Sequence, residues 1–265
     1  MNIKEILIDS IKYPFSDWKK ILILGLMVVI YEIPLNMYPI NLQNGFTDQF
    51  LVIALLINCF ISGYFFKIIQ HSLKNTRELP KFRKWVKLFK NGFKVTFVSL
   101  IYSIPITLPL IILTSDLFNF FSYEPKLFIS IMAAILTYAT GITGQGYLYT
   151  ISFFYILYFL IFFPISLIAI ANMANNDGKL RYAFEFKVIF DKIKNIGWIK
   201  FYSWYLLTSA INFLLIEIIG FLILILLLLS HTLPFEKLID SLILTPYVYK
   251  FFSRSIALIY QSETI

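Results

Sequence analysis

Long apolar runs alternate along this chain with short polar segments, and the polar segments are of two kinds. One kind mixes Lys and Arg with aromatic residues, while the other carries almost no positive charge. The apolar runs extend from Trp18 to about Leu35, Phe50 to Ile69, Val95 to Leu113, Tyr147 to Ala171, Trp198 to Leu229 and Leu238 to about Tyr260. Crossing a bilayer takes about twenty apolar residues in a helix, so the pattern predicts an all-α integral membrane protein with about six transmembrane helices. Proline sits inside several runs. Pro105 and Pro109 each remove a backbone donor from the third, which predicts a kink or an unwound turn, and Pro164 predicts a kink in the fourth.

Three polar segments have helical periodicity. In Asn2–Tyr13, Ile3, Ile6, Leu7 and Ile11 form a stripe opposite Lys4, Glu5, Asp9 and Lys12; Pro14 ends this helix, and Ser16 and Asp17 are placed to cap the next. From Leu79 to Lys94, six of sixteen residues are cationic (Lys81, Arg83, Lys84, Lys87, Lys90, Lys94), and Phe82, Trp85, Val86, Phe89 and Phe93 recur at three- and four-residue spacing. Lys179 to Asn195 sets Arg181, Lys187, Lys192 and Lys194 against Tyr182, Phe186, Ile189 and Ile193. Basic amphipathic helices of this kind lie flat on an anionic membrane surface. Each precedes a pair of apolar runs, through the Trp-bearing junctions YPFSDWKK, FRKWVKLFKNG and KIKNIGWIK. A threefold repeat of surface helix, span, span fits units of about 1–70, 79–174 and 179–260 inside a single polytopic domain, 1–265.

Positive charge concentrates on the cytoplasmic side of membrane proteins, and this orients the chain. The stretch Phe128 to Ala139 is apolar and is followed by the flexible GITGQG, Gly141 to Gly146. If it crosses fully, the third basic helix and the C-terminus lie outside. If it is re-entrant, both termini and all three basic helices are cytoplasmic, leaving only Lys126 and Lys237 of the 23 Lys and Arg outside. Charge favours the second arrangement, with six full spans in the cell membrane.

With 59% hydrophobic and 14% charged residues and a net charge of +8, the chain has no room for a separate aqueous domain. Its basic segments adjoin apolar runs, so the partners expected are the bilayer and anionic lipid headgroups at Lys81, Arg83, Lys84, Lys87, Lys90 and Lys94, rather than nucleic acid. A membrane-protein partner or a second copy of the chain also fits. Catalytic and nucleotide-binding motifs such as HExxH, G-x-S-x-G and the P-loop are missing. One cysteine, Cys59, allows no intramolecular disulfide. His71 and His231 read as interfacial polar residues. No cofactor, no metal and no enzymatic activity are expected.

YPFSDWKK before the first span, LPKF followed by Trp in the first basic loop, AFEFKVIFDKIKNIGW (Ala183 to Trp198) and PYVYKFFSRSIALIY (Pro246 to Tyr260) carry a resemblance over nearly the whole chain. They resemble an uncharacterised, mainly archaeal family of multi-pass membrane proteins defined by a domain of unknown function. More distantly, the chain is similar to membrane domains that accompany some glycerophosphodiesterases, whose catalytic barrel has no counterpart here. The resemblance implies a membrane protein of about this length and no functional residue set.

Two carboxylates fall within apolar runs: Glu32, beside Pro34, and Glu217, among Leu214, Leu215, Ile216, Ile218 and Ile219. Burying an ionised carboxylate in lipid costs about 2.5–3.5 kcal/mol on insertion scales, so each is a candidate ion or proton site, or a structural hydrogen-bond partner. Two functions follow. The first is a non-enzymatic membrane component that organises, senses or assembles at the bilayer; the second is a small transporter or channel using Glu217.

Overall fold

The computed structural model describes residues 1–37, 46–113, 152–230 and 240–262, and these are all-helical, with no strand among them. Helix α1, Ile3–Lys12, opens with a reciprocal cap: Asn2 Oδ1 accepts from the Glu5 amide at 2.8 Å, and Glu5 Oε2 accepts from the Asn2 amide at 3.0 Å. It stops at Pro14, inside the 3-10 turn Tyr13–Ser16. Asp17 Oδ1 then accepts from the Lys20 amide at 3.2 Å and caps α2, Trp18–Met37. Next come α3, Phe46–Leu73, and α4, Trp85–Leu113. They are followed by α5, Ser152–Asn175, the short α6, Phe186–Ile196, then α7, Trp198–Ser230, and α8, Asp240–Gln261. Among the described residues, α3, α4, α5, α7 and α8 are long and apolar enough to cross a membrane. The 20 residues of α2 reach about 30 Å at 1.5 Å per residue, which is also enough.

The three junction tryptophans share one position. Trp18, Trp85 and Trp198 are each the first residue of a long helix, and they are 53%, 47% and 44% exposed. An amphipathic indole at the mouth of a span is suited to the headgroup layer.

The chain falls into two compact units, Met1–Phe97 with Leu167–Ile265, and Val98–Ser166. The larger is built on helix contacts without intervening side chains. A Cβ on Gly92 of α4 would overlap the Cys59 carbonyl of α3, one on Gly63 would overlap the Leu88 carbonyl, and one on Gly25 of α2 would overlap the Leu242 carbonyl of α8. Glycine there lets backbones meet at a distance no other residue permits. Around this crossing, Tyr13, Leu24, Val28, Ile61, Tyr64, Ile68, Leu79 and Leu88 form a buried cluster. Several polar groups buried elsewhere in this unit are paired. Trp204 Nε1 donates to Ser255 Oγ at 2.7 Å, while Asn172 accepts from Tyr260 Oη and donates to the Tyr182 carbonyl, both at 2.8 Å.

These bonds gather several helix ends at one end of the larger unit. Arg254 of α8 meets Asp9 of α1, Gln261 donates to the Leu73 carbonyl closing α3, and Gln70 donates to the Ala174 carbonyl closing α5. All three basic segments are therefore attached to the same end.

In the smaller unit, α4 stays helical through Pro105 and Pro109, so the unwound turn expected there is not formed. Locally, Ser103 Oγ donates to the Leu100 carbonyl and Thr107 Oγ1 to the Ser103 carbonyl, backbone contacts of the kind that bend helices without breaking them. Ahead of Pro164, α5 has a π-helical turn, Tyr158–Phe162. There the Phe163 amide donates to the Tyr158 carbonyl five residues back, so the irregularity predicted from proline takes the form of a wider turn. The stretch Phe128 to Gly146 and residues Lys126, His231 and Lys237 lie outside the described residues.

Two basic segments depart from the single amphipathic helices expected. Leu79 to Lys84 has no regular structure, and helix begins only at Trp85, continuous with the span. Pro80 has no amide to donate, and Lys84 has φ +61°, a left-handed conformation that a helix cannot contain. The aromatic stripe divides accordingly: Phe82 stacks on Tyr64 at 4.0 Å and Phe89 packs on Phe60, whereas Val86 and Phe93 are exposed. Lys179 to Asn195 is broken at Glu185 into the 3-10 turn Leu180–Phe184 and α6. Ile189 and Ile193 are buried as the periodicity requires, but Phe186 is exposed.

Candidate anionic-ligand site

Helix α3 ends with Asn75 in the left-handed region, the Asn75 amide donating to the Ser72 carbonyl and the Thr76 amide to the His71 carbonyl. The chain then runs without regular structure to Lys84. Its carbonyls are taken by side chains from distant elements. Arg254 Nη1 donates to Thr76 O at 3.0 Å, Tyr13 Oη to Glu78 O at 3.4 Å, Lys20 Nζ to Leu79 O at 2.7 Å and Tyr64 Oη to Pro80 O at 3.0 Å. Lys67 Nζ donates to Lys81 O at 2.5 Å and to Arg83 O at 3.3 Å. A loop without a ladder of its own must satisfy its backbone somewhere. Here the donors are supplied by four elements, so the loop is fastened along its length.

The fastening residues are themselves held. Arg254, 4% exposed, donates from Nε to Asp9 Oδ1 at 2.7 Å and lies 5.0 Å from the Tyr13 ring centroid. Lys20 Nζ also pairs with Asp17 Oδ2 at 2.9 Å, and that hydrogen bond holds the Asp17 carboxyl below the usual carboxylate range. Burial pushes the Tyr13 hydroxyl up to about 12.

With its carbonyls turned to these donors, the loop directs its cations into a cavity of about 780 Å³. Lys67 and Lys74 contribute from the end of α3, Arg77, Lys81 and Arg83 from the loop, and Lys84 and Lys87 from the start of α4. Among the described residues Glu78 is the one carboxylate on the wall, and His71 and Asn91 add further polar groups. The size falls within the range of small-molecule sites, about 300–1,000 Å³. Such a surplus of positive charge in one concavity attracts anions.

Four of the six cations proposed from sequence as lipid contacts, Lys81, Arg83, Lys84 and Lys87, are thus brought together. The other two are placed elsewhere. Lys90 lines a neighbouring shallow groove with Trp85 and Phe93, and Lys94 donates to the Gly178 carbonyl at 2.7 Å, a structural role. Lys67 fastens the loop rather than extending along the span to solvent. Lys74 and Arg77 escaped the periodicity argument because they precede Pro80; counting charge over the whole interval from Lys67 to Lys87 would have found them.

The two intramembrane carboxylates have different surroundings. Glu32 accepts a hydrogen bond from Ser241 Oγ, which ties α2 to the start of α8. Glu217 is exposed on α7 beside exposed Phe213, Leu214, Ile216 and Ile218. Of the two cations in α8, Arg254 pairs with Asp9, whereas Lys250 is fully buried and its Nζ has no hydrogen-bond partner among the described residues. Among the described residues no group of His, Cys, Asp or Glu is placed to hold a metal.

An all-helical, multi-pass membrane protein with a cationic cavity at one end is the class that this fold and site define. The chain belongs to a family described as proteins of unknown function, DUF4013, whose pattern matches residues 49–228. No curated protein and no solved structure matches it. The match covers the cavity wall from α3 to α4, while Tyr13, Lys20 and Arg254, which fasten it, lie outside the matched residues.

Proposed function

We propose that this is a non-catalytic membrane protein that organises or senses the bilayer by gripping anionic lipid headgroups at its basic end. One observation carries the reading: the loop from Thr76 to Lys84 is fastened through its backbone, and its charged side chains remain free to face a ligand. Orientation alone calls for positive charge at this end, not for a fastened loop that gathers it in one concavity. The tryptophans opening α2, α4 and α7 support placement of this end at the headgroup layer, and their common position supports a threefold repeat. Positive charge assigns this end to the cytoplasm, with both termini. The exposed setting of Glu217 favours no second reading.

The test is lipid retention. Purified protein in nanodiscs with equal phosphatidylglycerol and phosphatidylcholine should keep the anionic lipid preferentially when released into native mass spectrometry. The quadruple variant Lys81→Gln, Arg83→Gln, Lys84→Gln, Lys87→Gln should lose that preference. Equal retention of the two lipids by the unaltered protein would reject the proposal.

A further inference from the structure

We infer that the cavity is a discrete, one-to-one site for a ligand carrying more than one phosphate group. This deepens the preceding reading, which asks only for attraction to an anionic surface.

Three observations point to a compact polyanion. Among the described residues, Lys74, Arg77, Lys81, Arg83, Lys84 and Lys87 have no side-chain hydrogen bond or ion pair within the chain, although all line the same concavity with Glu78 as the only acid. Cations crowded without counter-ions repel one another, and a single phosphate would neutralise few of them. The second observation is Lys84. Its φ of +61° is one that Asn or Gly adopts more readily, so the backbone here favours a different residue from the one present. Residues held in such conformations concentrate at ligand clamps. The third is the start of α4. Lys84 precedes the helix, and its carbonyl accepts the Leu88 amide at 3.0 Å, but a Lys side chain has no acceptor with which to cap. The first-turn amides of a 29-residue helix therefore receive no cap from Lys84, beside a cavity that Lys84 and Lys87 line. Helix N-termini favour phosphate through such amides, and of the first turn of α4 Lys87 lines the cavity.

The ligand chemistry is shared by phosphorylated lipid headgroups and soluble polyphosphates. Full-length protein in nanodiscs of phosphatidylcholine alone removes the general anionic surface, and titration calorimetry then follows inorganic pyrophosphate or a water-soluble short-chain phosphatidylinositol phosphate. Saturable binding at one site by either probe supports the inference, and the probe that binds identifies the source. Each of Arg77→Gln, Lys81→Gln and Lys87→Gln should weaken it about five-fold, the equivalent of one Lys or Arg near an anionic group. Lys187→Gln and Lys194→Gln, exposed on α6, should leave it unchanged. Lys84→Asn separates binding from folding: it keeps the left-handed backbone and adds a capping acceptor, so binding should fall while the melting temperature holds or rises. Binding of neither probe, or equal weakening by the α6 variants, overturns the inference. Because no anionic lipid surface is present, retention of phosphatidylglycerol can fail while pyrophosphate still binds, and the reverse.

Discussion

Arg254 Nε donates to Asp9 Oδ1 at 2.7 Å across 245 positions of sequence, joining the last helix to the first. The arginine is nearly buried, with 5% of its side chain exposed against 27% for the aspartate. Breaking such a pair by removing one partner costs about 3–5 kcal/mol when both are buried; partial exposure of Asp9 puts Asp9→Asn nearer 2–3 kcal/mol. Arg254→Met should cost at least as much, since the Thr76 carbonyl also loses its donor. The double variant should be less destabilised than the sum, as measured by denaturant unfolding in detergent.

Glycine at the α3–α4 crossing gives a second expectation. Gly92→Ala drives a methyl into the Cys59 carbonyl and Gly63→Ala drives one into the Leu88 carbonyl, and backbone cannot rotate aside as a side chain can. Each should destabilise by about 1–3 kcal/mol or more. Val86→Ala, at a 70% exposed position of α4, should change stability by less than about 0.5 kcal/mol in the same assay. Equal effects would show that the helices are not in backbone contact.

Lys250 predicts a gain. Its amine is fully buried and makes no hydrogen bond among the described residues, and replacing such a group by an apolar residue of similar length is stabilising. Lys250→Met should raise stability by about 1–3 kcal/mol. A loss would mean that the charge has an unseen partner in the membrane.

Tyr13 makes stability depend on pH at the alkaline end. Its folded pKa of about 12 lies above the value near 10 of an unfolded tyrosine, so the native state holds the proton more tightly. The contribution is complete below about pH 10 and is lost as pH rises towards 12. Tyr13→Phe should flatten the fall in stability between pH 10 and 12 relative to the unaltered protein, followed by urea unfolding at fixed ionic strength.

Topology can be read by labelling. In a Cys59→Ser background, single cysteines at Lys84, Lys187 and Ser262 should resist an impermeant maleimide applied to intact cells, and one at Asn44 should react. Reaction at position 187 from outside would reverse the third basic segment and require Phe128 to Ala139 to cross.

Local signals carried the spans and their starts. Pro14 and Asp17 marked where α1 stops and α2 begins, because a missing amide and a capping carboxylate act within one turn. The same periodicity misled at Leu79 to Lys84. Phe82 is in helical register with Trp85 and Phe89, yet it stacks on Tyr64, and the preceding carbonyls bond to Tyr13, Lys20 and Arg254. No window around Pro80 contains those donors. The cations of the site were half visible, since their charge is local, whereas their convergence depends on bonds up to 178 residues long. Glu32 was legible as a residue needing a partner, but Ser241, 209 positions away, was not legible as that partner.

The fastening of the loop also sets an order of assembly. Its first carbonyl, Thr76 O, waits for Arg254, which emerges from the ribosome 178 residues later. At about 5–20 residues per second that delay is roughly 10–40 s. Throughout that interval the cations from Lys67 to Lys87 have already been synthesised, but the wall that spaces them is incomplete. The cavity thus depends on the synthesis of α8: a chain cut short before that helix would keep most of the charge and lack one of the clamps that give the cavity its shape.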